Sequence, residues 1–283
     1  MELKLKLLAG AVMAATLVGC QDEAAPAAEE QGETIASITE NSDAHEGYFT
    51  LYRDRDSGAV HMLIKADQIG EEFIYTAQVD NGVVDAGAFV GAYVGNGVLS
   101  TQRYYDRVEF VAENFSFYFD PESELARASH ANISDAILGV QEIVAEDDES
   151  GDILIKVDDF LLSENLLQIS NPNGGGEGFS LGGLDSSKSK VLELRSYPEN
   201  SDFEIEYVYS NPAAGYGASA AVTDPRSVSI RVLHSFIDMP ENNYQPRFAD
   251  ARVGTFNTQV TDLTSTSSTP YRDLVHRWHL EKQ

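Results

Sequence analysis

One short pattern in this chain has the spacing of a nucleophilic centre. Gly178-Phe179-Ser180-Leu181-Gly182 matches G-x-S-x-G, in which serine hydrolases hold the serine on a strained turn between a strand and a helix. Asn171-Pro172-Asn173 and three glycines come before it, and such a run cannot form a buried strand. The Ser/Lys-rich run after it is a poor helix former. The pattern therefore predicts a flexible glycine loop, not a serine nucleophile.

Other patterns have the residue types of metal sites but lack the spacing. Residues 54–58, Asp-Arg-Asp-Ser-Gly, begin like a calcium loop, but Gly58 and Lys65 stand where an EF-hand needs oxygen ligands, so a hairpin turn is favoured. The acidic run 146–149 is predicted to be a solvated turn, with adventitious calcium as the alternative. His276 and His279 are three residues apart, yet no third ligand is near and no H-E-x-x-H motif occurs. We predict no catalytic residue, metal ligand or cofactor in this chain.

The single cysteine, Cys20, lies in a context typical of lipid attachment. Lys4 and Lys6 precede an apolar stretch over residues 7–18, which has the order of a secretion signal and is too short to span a bilayer comfortably. Leu17-Val18-Gly19-Cys20 resembles the bacterial lipobox, in which the thiol is acylated and becomes the first residue of the mature protein. An ordinary signal peptide beside a chance cysteine is the alternative. We predict a signal peptide at residues 1–19 and a membrane partner reached through acylated Cys20.

Charge restricts the partners of the rest of the chain. Residues 21–44 carry acidic side chains and no Lys or Arg, so we predict a disordered tether over residues 20–45. The formal net charge of −27 excludes nucleic acid as a partner and electrostatic docking on anionic lipid. Gln21 after the cysteine, by resemblance to bacterial sorting rules, favours the outer membrane. The expected location is exported and lipid-anchored, facing the periplasm.

The remaining chain, residues 46–265, has the texture of a β protein. Residues 48–52 and 60–64 alternate around turn residues and predict a hairpin. Residues 72–79 predict a strand closed by the Asn81-Gly82 turn, and residues 104–111 and 115–119 predict a further pair of strands. Other predicted strands cover residues 152–157, 190–194, 203–209 and 228–236. The predicted fold class is mainly β with few short helices, its antiparallel sheets arranged like a sandwich or barrel, with a candidate division into subdomains near residues 170–187.

One stretch has helical spacing instead. Ile133, Ile137, Val140 and Val144 recur at intervals of three or four residues, so we predict a short helix there, with a strand over residues 140–144 as the alternative. A weaker helical pattern covers residues 159–167.

The C-terminal third resembles a known family. Residues 227–240 read S-V-S-I-R-V-L-H-S-F-I-D-M-P, and residues 244–256 read Y-Q-P-R-F-A-D-A-R-V-G-T-F. A strand ending in H-S-F, then P-R, then D-x-R-x-G-x-F is similar to the N-terminal region of large bacterial zinc-dependent metallopeptidases. Further segments of that region are similar to five other ranges of this chain: residues 47–52, 69–74, 153–162, 187–200 and 277–282. The resemblance covers residues 46–283.

This resemblance implies the accessory, non-catalytic region of a membrane-tethered metallopeptidase that hydrolyses peptide bonds. In the family, the H-E-x-x-H helix and the zinc ligands lie downstream of the segment that residues 277–282 resemble. No catalytic role is therefore carried over, and zinc is expected only in a catalytic domain that would follow in cis. Residues 266–283 are then the linker strand toward that domain. The alternative is a stand-alone β-rich envelope lipoprotein that binds a protein or polymer partner.

Four residues of the resembling segment are candidates for a structural network. We expect His234, Arg247, Asp250 and Arg252 to brace the interface with the catalytic domain, the last three as an ion-pair network. On this hypothesis, replacing Arg252 with Ala lowers stability measurably.

Overall fold

The computed structural model describes residues 33–120, 122–129, 131–169, 179–214, 218–241 and 244–278. Short helices are α1 (Ile35–Thr39) and α2 (Asp158–Leu161), and Thr34 caps α1 by accepting a hydrogen bond from the backbone N–H of Ser37. The strands are β1 (Ser42–His45), β2 (Thr50–Asp54), β3 (Val60–Ile64), β4 (Glu72–Asn81), β5 (Tyr93–Tyr104), β6 (Arg107–Ala112), β7 (Phe117–Tyr118), β8 (Ala136–Glu146), β9 (Ile153–Lys156), β10 (Gly183–Leu184), β11 (Lys190–Tyr197), β12 (Asn200–Ser210), β13 (Ser227–Asp238), β14 (Asn257–Asp262) and β15 (Tyr271–Val275).

Most of these strands belong to one large antiparallel sheet. Its order is β1-β2-β3-β9-β8-β6-β5-β4-β13-β12-β10, and β11 also pairs with β12. Arg53 on β2 donates hydrogen bonds to the carbonyls of Val191 and Leu192 on β11, at 2.9 and 3.0 Å. This side-chain contact links two strands that are far apart in the sheet order. They form no ladder of backbone hydrogen bonds, so the sheet does not close into a barrel. The predicted mainly β, antiparallel class is confirmed.

The pairing registers place every strand end in one of two rows, one at each end of the strands, and we call these two rows the edges of the large sheet. Ser42 at the start of β1 pairs with Asp54 at the end of β2, and antiparallel pairing repeats this alternation along the sheet. The end of β4 and the start of β5 therefore lie at the same edge as Ser42, which we call the N-terminal edge. The β5–β6 turn at Tyr105 lies at the opposite edge.

Alternation of apolar residues builds the core on one face of the sheet. The burial of β3 alternates strictly, and β4, β12 and β13 alternate over most of their length. Phe236 on β13 is fully buried, and aromatic rings from four other strands or loops surround it. Gly139 on β8 permits the close approach of α2, because a Cβ there would lie 2.4 Å from the ring of Phe160. The Phe160 ring stacks on Phe110, with centroids 4.4 Å apart.

The helix predicted around residues 133–144 is wrong, because residues 136–146 form β8, in keeping with the alternative strand. β8 lies inside the sheet between β6 and β9, where neighbouring strands satisfy its backbone. Both pairings shift register, at Phe110/Val111 and at Ile143/Ala145. Each irregularity inserts an unpaired residue and interrupts the period of two, so apolar residues recur at helical intervals.

The predicted pairing of residues 104–111 with 115–119 is also wrong. β6 pairs with β5 and β8, whereas the short β7 joins a separate three-stranded sheet, β15-β14-β7, by parallel pairing with β14. This small sheet combines the β6–β8 connection with the C-terminal part of the chain. Nothing in the sequence near residues 117 and 261 indicates that they pair. Sequence patterns therefore favour a hairpin between the two adjacent runs.

The domain predictions are corrected at two places. Residues from Glu33 onwards form one compact unit, so the body begins before residue 46 and includes α1 and β1 of the predicted tether. β15 lies within the predicted linker strand at 266–283 but pairs with β14 over five residues, as part of the small sheet. The signal peptide and Cys20 lie outside the described residues.

In the described part of the chain, no helix has the length and apolar character needed to cross a membrane.

Candidate functional site

The small sheet contains an ion pair whose carboxylate is buried. Asp262 at the end of β14 is 1% exposed, and its Oδ1 accepts hydrogen bonds from the backbone N–H and hydroxyl of Thr264. Arg272 on β15 forms an ion pair with Oδ2 of the same carboxylate. These hydrogen bonds, followed by the Arg272 charge, hold the pKa of Asp262 below its ordinary value. The Arg272 guanidinium also lies 5.2 Å from the ring centroids of both Tyr118 and Phe248.

Large aromatic side chains on and beside this sheet are exposed. We call Phe248, Phe256, Tyr271 and Trp278 the C-terminal aromatic surface; their exposed fractions are 52%, 86%, 60% and 88%. Tyr271 precedes Arg272 on β15 and therefore lies on the other face of the sheet from Arg272 and Phe248. Backbone hydrogen bonds hold the segments that carry them: His276 N–H donates to Phe256 O, and Val275 N–H donates to Arg247 O, both at 2.8 Å. Exposed aromatic groups on ordered backbone are typical of a surface that a partner covers.

We expect Arg272→Ala to loosen the small sheet selectively. The buried Asp262 carboxylate would lose its cationic partner, and an uncompensated buried charge is costly. Amide hydrogen exchange in residues 257–275 should accelerate by roughly tenfold or more, while β12 and β13 stay protected. Arg272→Lys is the matched control: it keeps the charge but loses the planar stacking, and should show a smaller effect. Equal protection in wild type and Arg272→Ala would contradict the assigned role.

The structure separates His234 from the other members of the predicted network. His234 on β13 is fully buried in the core of the large sheet. Its Nδ1 is 3.0 Å from the Tyr75 hydroxyl, and its Nε2 is 2.9 Å from the Tyr207 hydroxyl. Burial lowers the pKa of His234 to about 3. His234 is therefore a neutral core residue, and the expectation that it braces an interface is wrong.

The other three predicted residues lie near one another at the surface. Arg252 donates two hydrogen bonds from Nε and Nη2 to the Asp250 carboxylate. These bonds, then the Arg252 backbone N–H and the Arg247 charge, lower the pKa of Asp250 to about 2. The Arg252 side chain is 88% exposed, however. The ion pair exists, but solvent screens it.

The structure consequently reverses the expected effect of Arg252→Ala. An ion pair in water contributes little to stability, because Coulomb attraction there barely offsets the ordering of two side chains. We expect the melting temperature of Arg252→Ala to equal that of wild type within error in a thermal scan. Arg272→Ala provides the comparison at a buried carboxylate. A clear drop for Arg252→Ala would restore the bracing hypothesis.

A large cleft lies at the edge of the large sheet opposite the N-terminal edge. It has a volume of about 1320 Å³, and its charged lining is acidic apart from Lys65. Tyr48 lines it, and burial, with the nearby charges of Asp238 and Glu71, raises the pKa of Tyr48 to about 12. The acidic lining disfavours anionic ligands.

The structure also shows the surroundings of the sequence patterns that were not predicted to be catalytic or metal sites. Ser180 is exposed, and the two-residue strand β10 follows it where a nucleophile elbow needs a helix. Residues 54–58 form the β2–β3 hairpin turn, in which Asp54 Oδ1 accepts from the Ser57 N–H and hydroxyl. His276 is exposed and its Nε2 lies 2.7 Å from the Thr258 hydroxyl, whereas His279 is outside the described residues. Among the residues described, no group of three His, Cys, Asp or Glu is arranged to hold a metal ion.

Sequence patterns do not identify Asp262 or Arg272 as site residues. Asp262 falls in a run of Thr, Ser and other polar residues that has no distinctive spacing. A signal was present in Tyr271-Arg272-Asp273-Leu274-Val275, where an aromatic and apolar residues occur within a strand-length run.

The fold and its surfaces define a protein built on one large antiparallel sheet with a small C-terminal sheet. A family model described as "Domain of unknown function (DUF5117)" matches residues 91–283, from two residues before β5 to the end of the chain. The match covers more than half of the sequence, so the chain belongs to this family. Neither the curated proteins nor the solved structures include a match to this chain.

Proposed function

We propose that this chain is the accessory, non-catalytic region of a membrane-tethered zinc-dependent metallopeptidase, and that its C-terminal aromatic surface contacts the catalytic domain. The observation that carries the proposal is the exposure of Phe248, Phe256, Tyr271 and Trp278 on ordered backbone. These residues lie within or beside the segments that resemble the metallopeptidase region. The acyl group on Cys20 attaches the protein to the membrane.

Exposed apolar area is the source of free energy for this contact. Each large aromatic side chain left in water forgoes roughly 1.5–3 kcal/mol of burial free energy. The ion pair between half-buried Arg272 and buried Asp262 is formed within this chain, so the small sheet is organised before binding. A rigid surface of this kind suits a permanent contact with a neighbouring domain.

The first experiment is to read the gene downstream of codon 283. An in-frame H-E-x-x-H motif followed by a third histidine supports the proposal. A stop codon with no such motif in the neighbouring genes would overturn it and favour the stand-alone lipoprotein that binds an envelope partner.

The second experiment measures the contact itself. The encoded catalytic domain is expressed separately and titrated with this chain, either wild type or carrying Phe256→Ser and Trp278→Ser. We expect the double variant to bind at least about tenfold more weakly, since aromatic residues dominate such interfaces. Tyr104→Ser is the matched control, because Tyr104 is 55% exposed but lies at the β5–β6 turn, at the edge of the large sheet opposite the N-terminal edge. Equal affinity for all three proteins would exclude the aromatic surface as the contact.

A further inference from the structure

A second apolar surface lies on the loop between β4 and β5. Val84, Phe89, Val90 and Tyr93, which we call the apolar rim, are 76%, 57%, 69% and 73% exposed. The loop is fixed to the fold: two of its own residues, Ala86 and Ala88, are buried, and backbone hydrogen bonds join Val79 to Gly91 and Ala92 at 2.8 and 2.9 Å. The fold thus presents four large apolar side chains to solvent on a fixed backbone.

The rim is also an uncharged region of a strongly acidic chain. Between Asp80 and Arg103 the sequence contains one charged residue, Asp85, although charged residues make up 23% of the chain. Asp85 is held within the fold by Ser219, whose N–H and hydroxyl donate to its carboxylate at 3.1 and 2.5 Å. An apolar loop with a single charged residue can enter the interface of a zwitterionic bilayer, whereas the acidic remainder is repelled by anionic lipid.

The position of the loop agrees with this partner. The rim extends from the N-terminal edge of the large sheet, where β1 also begins. Asn41, just before β1, donates hydrogen bonds to Asp54 and Asp56 at the same edge. Twelve residues lie between Cys20 and Glu33, the first described residue, and a chain of that length spans at most about 45 Å. An anchor at Cys20 therefore limits how far Glu33 can lie from the bilayer.

We propose that the apolar rim is a peripheral membrane contact, which places Val84, Phe89, Val90 and Tyr93 in the surface of a zwitterionic bilayer. The contact is shallow, because Asp85 in the same loop is charged and partly exposed. It rests on the lipid anchor of the proposed function. Together, the acyl chain and the rim give two points of attachment, and two signals are what stable anchoring requires.

The lone cysteine of the sequence makes a site-specific test possible. Acylation removes the Cys20 thiol, so Val90→Cys or Tyr104→Cys introduces the one reactive thiol of the protein. Each variant is purified with its acyl chains, labelled with an environment-sensitive fluorophore and reconstituted into phosphatidylcholine vesicles with or without nitroxide lipid. The Tyr104 label, at the opposite edge, is the matched control. We expect nitroxide lipid to quench the Val90 label and to leave the Tyr104 label unchanged.

The outcomes separate the loop contact from the anchor. Equal, water-like emission from both labels on acylated protein overturns the membrane contact and leaves the anchor intact. Labelling of the wild-type protein shows that Cys20 is free, which removes the anchor and the proposal built on it. Shielding of the Val90 label without vesicles, increasing with protein concentration, identifies a second copy of the chain as the occupant and also overturns the proposal.

Discussion

Phe236→Ala is expected to lower the free energy of unfolding by about 3–5 kcal/mol, the usual cost of removing a buried aromatic ring. Phe236 is fully buried at the centre of the core. Its ring centroid lies within 5.1 to 6.3 Å of the rings of Phe49, Phe73, Tyr75, Phe110 and Phe203. These residues come from β4, β6, β12 and the segment before β2, so one cavity would weaken contacts across the sheet.

The measurement is thermal or urea unfolding of the wild type and two alanine variants. For a domain of this size, the loss should appear as a fall in melting temperature of about 10 °C. Phe256→Ala is the matched control, since the same ring is removed from a side chain that is 86% exposed. A change of less than about 1 kcal/mol in Phe236→Ala would show that the core collapses around the missing ring or is packed differently.

The second large effect concerns the buried His234. The Tyr207 hydroxyl donates to the Leu161 carbonyl at 3.0 Å, so its oxygen accepts the proton of His234 Nε2. His234 Nδ1 then accepts from the Tyr75 hydroxyl. The imidazole is thus held as one neutral tautomer with both nitrogens satisfied. Protonation of Nδ1 would place an unpaired charge in the core and remove the acceptor for Tyr75.

This arrangement makes stability fall on acidification. The pKa of His234 is lowered from 6.5 in the unfolded chain to about 3 in the folded protein. Below pH 6.5 the unfolded state therefore binds a proton that the folded state does not, and stability declines until the pH reaches the folded pKa. The expected loss from this residue is about 3 kcal/mol between pH 7 and pH 4.

The test is a comparison of urea unfolding at pH 7 and pH 4 for wild type and His234→Leu. The variant should be less stable at pH 7 by about 1–3 kcal/mol, because the Tyr75 hydroxyl loses its partner. Its fall in stability from pH 7 to pH 4 should be smaller than that of wild type by about 3 kcal/mol. Carboxylates such as Asp185 titrate in both proteins and cancel in the comparison. Adding Tyr75→Phe removes the orphaned hydroxyl and should recover part of the loss. Parallel pH profiles would show that His234 titrates normally.

Predictions from local pattern succeeded where strands alternate without interruption. Residues 48–52 and 60–64 became the β2–β3 hairpin, and the strands at 72–79, 203–209 and 228–236 lie within β4, β12 and β13. They failed where the pattern is interrupted. β8 carries a register shift toward each neighbour, and β5 contains Gly95 and Gly97, which weaken the strand signal.

The contacts at the candidate surfaces also fall into two groups, those between neighbours in the sequence and those between distant residues. Arg252 and Asp250 are two residues apart, so their ion pair was predictable from the sequence. Arg272, Asp262 and Tyr118 come together only because β7 joins β14 in parallel across more than a hundred residues. The placement of His234 in the core, instead of at an interface, likewise depends on Tyr75 and Tyr207 from the adjacent strands β4 and β12.

The sequence by itself determined the β texture, the acidic charge that excludes nucleic acid, and the turn between β2 and β3, because these depend on composition and on residues a few positions apart. Only the tertiary structure decided which apolar residues are buried and which form the C-terminal aromatic surface and the apolar rim. Phe236 and Phe256 have the same side chain and both lie in the segments that resemble the metallopeptidase region. One is fully buried and the other is 86% exposed. Burial depends on which strands pair and which edge a loop leaves from, and those choices are made between residues far apart in the chain.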